Sequence, residues 1–216
     1  MNDALSKYLE KNGVIAVLEI EDVKDAVPVC KALVEGGIHA IELALRTPAA
    51  EPSIELIRKG VPDMCVGIGT VIKPGQAIRV KELGAHFAVS PGFNPRIVEE
   101  AFKAELPFAP GIATPSELES AVEMGCSILK FFPAVPMGGV SYLKSMNGPY
   151  GYLGLRFVPL GGVSLDNLEE WASYKPVISV GGTWIAKKEI IRAGEFNRIR
   201  ENASKAVEAW NKARGM

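Results

Sequence analysis

The sequence alternates short apolar runs with helical patterns, and this alternation constrains the fold more than any other feature. Continuous apolar runs of about four to eight residues are typical of strands that are buried on both faces of a parallel sheet. About eight such runs occur, a number that also fits a barrel. We interpret them as strands at residues 14–18, 39–45, 64–70, 85–90, 108–112, 127–133, 155–160 and 177–180.

Between these runs, apolar residues recur at helical spacing, and several of the helical stretches end at glycine. The predicted helices cover residues 3–12, 23–35, 49–59, 74–83, 94–104, 115–124, 139–147, 165–173, 183–191 and 195–213. A chain in which strands and helices alternate throughout is expected to be an α/β protein.

We therefore predict a (β/α)8 TIM barrel with a short N-terminal helix, in which residues 1–216 form a single domain. A barrel of this kind needs roughly 200 residues or more, which this chain has. A doubly wound open sheet is the alternative, but that fold usually has fewer strands and a Gly-x-Gly-x-x-Gly turn after the first one. Here Glu-Ile-Glu-Asp, residues 19–22, follows the first predicted strand. The barrel is favoured.

Charge and cysteine content exclude several classes of partner. The formal net charge is -1, so we expect neither nucleic acid nor an anionic membrane as a partner, because both require a basic surface. No apolar stretch approaches the roughly 20 residues of a membrane span. The three cysteines, Cys30, Cys65 and Cys126, are odd in number and far apart, which predicts reduced thiols in a cytoplasmic protein.

The predicted strand at residues 127–133 contains a lysine, Lys130, among Leu129, Phe131 and Phe132. An ammonium group is disfavoured in a low-dielectric site, so the neutral amine is favoured there. A neutral amine is the form that attacks a carbonyl group to make an imine. The alternative interpretation is that Lys130 lies at a strand end and extends to water beside a carboxylate.

Other polar residues fall within or after the predicted strands, where the active site of a barrel is built. Glu42 lies within an otherwise apolar strand, and Arg46 follows that strand. Glu42 either neutralises Lys130 or transfers protons through a bound water or substrate. The planar guanidinium group of Arg46 can bind a carboxylate in a bidentate manner.

Gly-Gly pairs follow the last two predicted strands at residues 161–162 and 181–182, each close to a hydroxyl residue, Ser164 or Thr183. Barrels often bind phosphate on free backbone amides at these two loops, although tight turns alone also require glycine. We expect no metal, because His39 and His86 lie near the amino ends of their strands, away from the site. No cofactor is expected.

Several motifs resemble the class I 2-keto-3-deoxy-6-phosphogluconate (KDPG) and 4-hydroxy-2-oxoglutarate (KHG) aldolases. The resemblance extends from Val14 to about Trp184. It is carried by Glu-Leu-Ala-Leu-Arg-Thr at 42–47, Gly-Ile-Gly-Thr at 67–70, Ser-Pro-Gly at 90–92, Lys-Phe-Phe-Pro-Ala at 130–134, Gly-Gly at 161–162 and Gly-Gly-Thr-Trp at 181–184.

The resemblance implies a metal-free homotrimer in which Lys130 forms a Schiff base with pyruvate or the keto acid and Glu42 is the general acid and base. It implies that Arg46 and Thr70 hold the carboxylate and that Pro91 and Phe132 line the pocket. The residues that the resemblance assigns to the phosphate end of the substrate are Gly161, Gly162, Gly182 and Thr183.

Three residues depart from the family pattern and bear on specificity. Leu160 replaces the threonine of phosphogluconate-specific members, and members that act on the galacto epimer carry an apolar residue there. Glu19 stands near the first strand's end, where some members have arginine, and would weaken a phosphate site if it points inward. Thr183 replaces a serine and keeps the hydroxyl group.

The expected reaction is the reversible cleavage of KDPG, or a close relative, to pyruvate and glyceraldehyde 3-phosphate. Cleavage of KHG to pyruvate and glyoxylate is a close variant. The alternatives are a 2-keto-3-deoxy-6-phosphogalactonate aldolase, a phosphate-binding TIM-barrel isomerase or synthase, and a non-catalytic sugar-phosphate sensor.

Overall fold

The structure is a computed structural model that describes residue 6 and residues 9–216. All pairings between neighbouring strands are parallel. The strands are β1 (Val14–Leu18), β2 (Ala40–Ala44), β3 (Cys65–Gly69), β4 (Phe87–Val89), β5 (Phe108–Ala109), β6 (Gly111–Ile112), β7 (Ile128–Phe131), β8 (Arg156–Pro159) and β9 (Val180–Gly182).

The strands form one closed barrel whose fifth strand is interrupted. One sheet has the order β5-β4-β3-β2-β1-β9 and the other has the order β6-β7-β8. Pro110 separates β5 from β6, because proline has no N–H to donate to a neighbouring strand, while its carbonyl accepts from the amide of Lys130 at 2.9 Å. A parallel bridge between Leu160 and Gly181 joins the second sheet to β9. The predicted TIM barrel is confirmed.

The α-helices surround the barrel. Side chains near the first residue of a helix can mark where it begins. In the helix Pro115–Glu123, Thr114 accepts from the amide of Glu117, whose carboxylate accepts from the Thr114 amide. The α-helices are Ala26–Glu35, Ala50–Gly60, Gln76–Glu82, Pro95–Lys103, Pro115–Glu123, Gly139–Asn147, Leu168–Ser173, Lys188–Arg192 and Phe196–Arg214. Short 3-10 helices cover Val23–Asp25, Gly148–Leu153 and Leu165–Asn167.

Three predicted boundaries require correction or qualification. The last strand is Val180–Gly182 and not residues 177–180, because Gly181 and Gly182 pair with β1 and belong to the strand. The helix predicted at 183–191 is only Lys188–Arg192, since residues 183–186 form bends. Of the predicted N-terminal helix, residues 6 and 9–12 are helical, and residues 3–5, 7 and 8 lie outside the described part.

Alternation along the strands divides the apolar residues into two clusters. Ile15 and Val17 of β1 belong to the smaller cluster, which fills the barrel, whereas Val14 and Ala16 belong to the larger cluster between strands and helices. The smaller cluster packs Phe87 against β3, and the glycine at position 67 makes room for its ring. Among the described residues, no helix is long and apolar enough to cross a membrane.

His86 lies between the helix Ala50–Gly60 and β3. The amide of Val66 donates to its Nδ1 at 2.8 Å, and Nε2 lies 2.8 Å from Nη1 of Arg58. Burial of the ring, followed by the nearby guanidinium group, lowers the pKa of His86 below its usual value. Protonation of Nδ1 would remove the bond from Val66 and add a positive charge beside Arg58.

We expect this histidine to make folding stability depend on pH. Because its pKa is lowered in the folded state, the unfolded chain binds the extra proton more readily, and stability is lost as the pH falls below about 6.5. The loss should be modest because the ring is half-buried and partly screened. Urea unfolding at pH 7.5 and 5.5 should show a smaller loss for His86→Asn than for the wild type. An equal loss in both proteins would contradict this assignment.

Candidate active site

A cavity of about 340 Å³ opens at the carboxyl ends of the barrel strands. Its lining contains the predicted site residues Glu42, Arg46, Thr70, Pro91, Lys130, Phe132, Leu160, Gly161, Gly162, Gly182 and Thr183. Val17, Val163 and Gly181 line it as well, although no individual substrate contact was predicted for them. Of the candidate residues, Glu19 and Ser164 do not line the cavity.

Lys130 on β7 and Glu42 on β2 meet across the barrel. The Lys130 Nζ donates to Oε1 of Glu42 at 2.9 Å and to Oε2 at 3.2 Å. The two residues are only 5% and 4% exposed, yet both border the cavity. The Nζ also lies 5.4 Å from the centre of the Phe132 ring. The amine does not extend to bulk water, and a carboxylate lies within proton-transfer distance of it.

The carboxyl end of β3 is shaped around the carboxylate of Glu42. A Cβ atom at Gly69 would lie 2.1 Å from Oε1 of Glu42, so only glycine leaves room for that oxygen. The next residue, Thr70, has a φ of 64°, which a β-branched residue rarely adopts. Strained backbone of this kind is concentrated at functional sites, and Thr70 lines the cavity.

Arg46 follows β2 at the rim of the cavity, where its side chain is 48% exposed. Its Nη1 lies 3.4 Å from Oε2 of Glu19, and Oε1 of Glu19 lies 3.8 Å from Nζ of Lys188. The carboxylate of Glu19 is therefore held by two cations beside the cavity. The sequence left open whether Glu19 points into the phosphate end, and the structure places it on Arg46 instead.

The two glycine loops form another part of the cavity wall. Gly161 and Gly162 have φ values of 92° and 84°, in the left-handed region that favours glycine. Within the described part of the chain, their amide groups donate no backbone or side-chain hydrogen bond. Ser164 does not line the cavity, and its amide donates to Oδ1 of Asn167 at the start of the following 3-10 helix. These free amides can donate hydrogen bonds to a bound anion.

The three lining residues without a predicted substrate contact can be recognised in the sequence. Val17 is the last inward-facing position of β1, which the period of two along the strand identifies. Val163 and Gly181 are direct chain neighbours of predicted glycines. All three supply apolar surface or backbone, so residue chemistry alone does not point to them.

A metal-ligand cluster or a reactive thiol among the described residues would offer further chemistry. The described residues contain no group of three or more His, Cys, Asp or Glu side chains that could hold a metal ion. Burial raises the pKa of Cys30 to about 12 and that of Cys126 to about 11. These two thiols therefore remain protonated at neutral pH and are poor nucleophiles.

Comparison with known proteins agrees with this geometry. The family model described as KDPG and KHG aldolase matches residues 5–202. The chain belongs to this family. The family resemblance and the aldolase function predicted from the sequence are thereby confirmed, and the KDPG and KHG aldolases are carbon–carbon lyases.

Relatives and solved structures align with nearly the whole chain. The 2-dehydro-3-deoxy-phosphogluconate aldolase of Treponema pallidum is 42% identical over 191 residues, which are 88% of this chain and 90% of that protein. The KDPG aldolase of Legionella pneumophila, solved with pyruvate as a covalent carbinolamine intermediate, has a TM-score of 0.88 and 39% identity over 92% of this chain and 96% of that one.

A second aldolase structure contains a phosphorylated ligand. The 2-keto-3-deoxy-6-phosphogluconate aldolase of Zymomonas mobilis, solved with 3-phosphoglycerate, has a TM-score of 0.85 and 33% identity, covering 95% of each chain.

Proposed function

We propose that Lys130 forms a Schiff base with the keto group of a 2-keto-3-deoxy-6-phospho sugar acid, which is then cleaved to pyruvate and glyceraldehyde 3-phosphate. One observation carries this proposal: an amine and a carboxylate lie 2.9 Å apart in the wall of an open cavity. The carbinolamine described for the Legionella enzyme is the first covalent intermediate that such an amine would form.

The distances support a single acid and base for all proton transfers. Glu42 takes a proton from the Nζ of Lys130, the neutral amine attacks the keto carbon, and Glu42 gives the proton to the departing water as the carbinolamine becomes an iminium ion. Glu42 then takes the proton of the C4 hydroxyl, directly or through water, as the C3–C4 bond breaks and the aldehyde leaves. The electron pair forms an enamine, which is protonated at C3 and hydrolysed to pyruvate and free Lys130.

The rest of the cavity fits a substrate with an anion at each end. We assign the keto-acid carboxylate to Arg46 and the hydroxyl of Thr70, with Pro91 and Phe132 as the apolar walls. The phosphate is assigned to the loops of Gly161, Gly162, Gly182 and Thr183. The 3-phosphoglycerate of the Zymomonas structure also combines a carboxylate with a phosphate.

Leu160 favours relaxed discrimination between sugar epimers. It is 5% exposed and borders the cavity beside Gly161, so it offers an apolar surface where a hydroxyl could otherwise contact the substrate. We therefore propose the galacto epimer of KDPG as an alternative substrate, and KHG as a substrate without phosphate. A phosphate-binding isomerase or a sensor would not need the Lys130–Glu42 pair.

Borohydride reduction in the presence of pyruvate tests the proposed function. We expect a reduced pyruvate adduct on the peptide that contains Lys130, as found by peptide mass analysis. An adduct on another lysine, or none on folded protein, would contradict the assignment. Values of kcat/KM for KDPG, its galacto epimer and KHG then identify the aldehyde. A strong preference for the two phosphorylated substrates is expected if the glycine loops bind phosphate.

We further propose that the protein is a cytoplasmic homotrimer, as the family resemblance implies. The full burial of Cys30, Cys65 and Cys126 is compatible with the reduced thiols of that compartment. Light scattering coupled to gel filtration tests the assembly. A mass near three times 23.2 kDa is expected, and a monomer at micromolar concentration would contradict the trimer.

A further inference from the structure

An ion-pair chain extends from the candidate active site to the helix Lys188–Arg192. Arg46 contacts Glu19 at 3.4 Å, Glu19 contacts Lys188 at 3.8 Å, and Lys188 contacts Glu21 at 3.9 Å. Positive and negative groups alternate along this chain. Of its four members, only Arg46 lines the cavity. The positive charge of Arg46 at the cavity is therefore partly neutralised by Glu19, which lies outside the cavity.

The contact between Glu19 and Arg46 leaves the guanidinium group able to bind a further anion. The 3.4 Å distance involves one nitrogen and one oxygen, and the pair does not form the parallel two-bond arrangement of a strong bridge. Within the described part of the chain, the Arg46 side chain donates no hydrogen bond. The Thr47 hydroxyl donates to the carbonyl of Ile20, and this bond connects the loop after β2 to the loop after β1. Glu19 therefore remains nearby when Arg46 binds an anion.

We propose that Glu19 weakens the binding of the substrate carboxylate to Arg46, and that Lys188 limits this effect by sharing Glu19. The inference rests on the proposed function, which assigns the carboxylate to Arg46. Two negative groups on one guanidinium repel each other. At about 6 Å and an effective dielectric constant of about 60, the repulsion corresponds to roughly a fivefold change in affinity. Because pyruvate is also a product, weaker binding favours its release.

The experiment compares pyruvate binding with pyruvate turnover in the full-length protein. An NMR titration gives the Kd of pyruvate, and exchange of its methyl protons in D2O gives KM and kcat. We expect Glu19→Gln to lower Kd and KM about fivefold and to change kcat less than about twofold. Lys188→Gln should raise Kd about twofold, and this increase should largely disappear in the double variant.

Glu21→Gln is the matched control, because Glu21 contacts Lys188 but not Arg46. It should change the Kd less than Glu19→Gln does. The difference between wild type and Glu19→Gln should also shrink in 1 M NaCl, where the screening length is about 3 Å.

An unchanged or raised Kd for Glu19→Gln would overturn the inference, since Glu19 would then be neutral or would position Arg46. An equal decrease of the Kd in Glu21→Gln would also overturn it, because the net charge near the cavity rim, and not the contact of Glu19 with Arg46, would then explain the change. If the wild type exchanges no protons, the proposed function fails. The Kd comparison then still supports or overturns the role of Glu19, so the two failures are distinguishable.

Discussion

Lys130→Met is expected to reduce the turnover of every aldol substrate by at least about a thousandfold, because the methionine side chain fills a similar space but has no amine to form an imine. Steady-state kinetics with KDPG and borohydride trapping with pyruvate measure the effect. The variant should neither cleave KDPG nor form a reduced adduct. Pyruvate exchange at more than about a tenth of the wild-type rate would contradict the role of Lys130.

A control must separate the loss of the nucleophile from the loss of the ion pair. Lys130→Met leaves the buried carboxylate of Glu42 without its partner, and breaking such a pair costs about 3 kcal/mol of stability. Lys130→Arg keeps a cation beside Glu42 but supplies no imine-forming amine. Both variants should be inactive, and Lys130→Arg should unfold at a higher urea concentration than Lys130→Met. If Lys130→Arg is folded but inactive, the loss of activity results from the missing amine and not from the broken ion pair.

The barrel and the proximity of Lys130 to Glu42 could be predicted, because the sequence pattern of parallel strands also indicates where their ends lie. Buried strands give continuous apolar runs, and their carboxyl ends share one face of the barrel. A charged residue inside such a run must therefore lie in the core or at that face. Two of them, on strands distant in sequence, lie 2.9 Å apart in the structure.

The end of the last strand could not be predicted from composition. Gly181 and Gly182 were interpreted as a loop, because glycine is usually unfavourable inside a strand. In the structure a Cβ atom at Gly181 would lie 2.7 Å from Leu160, and one at Gly182 would collide with the ring of Trp184. Close approach of side chains from other elements requires these glycines, and sequence periodicity contains no information about that approach.

The direction of the Glu19 side chain also could not be predicted from the sequence. Glu19 follows the last residue of β1, where the alternation of inward and outward side chains ends. Its partners, Arg46 and Lys188, lie far from it in sequence and were not linked to it by any pattern. Tertiary contacts therefore decide whether this charge lies near the glycine loops, to which we assign the phosphate, or near Arg46, to which we assign the carboxylate.

Glu42→Gln is expected to lower kcat by about a hundredfold to ten-thousandfold, the range for loss of a general acid and base. Glutamine keeps an oxygen that can accept from Lys130, so the local packing is retained while proton transfer is lost. Schiff-base formation should slow as well, because dehydration of the carbinolamine needs an acid. Rapid-quench trapping with borohydride, together with steady-state kcat and KM, measures both steps.

Two further variants make this prediction specific to the position of the carboxylate. Glu42→Asp retains the acid but shortens its reach, so its kcat should lie between those of the wild type and Glu42→Gln. Gly69→Ala would place a methyl group 2.1 Å from the present Oε1, which forces the carboxylate to move without changing any titratable group. We expect Gly69→Ala to reduce kcat at least tenfold. A Glu42→Gln enzyme within tenfold of the wild type would mean that water or another residue carries the protons, and Glu42 would then serve only to neutralise Lys130.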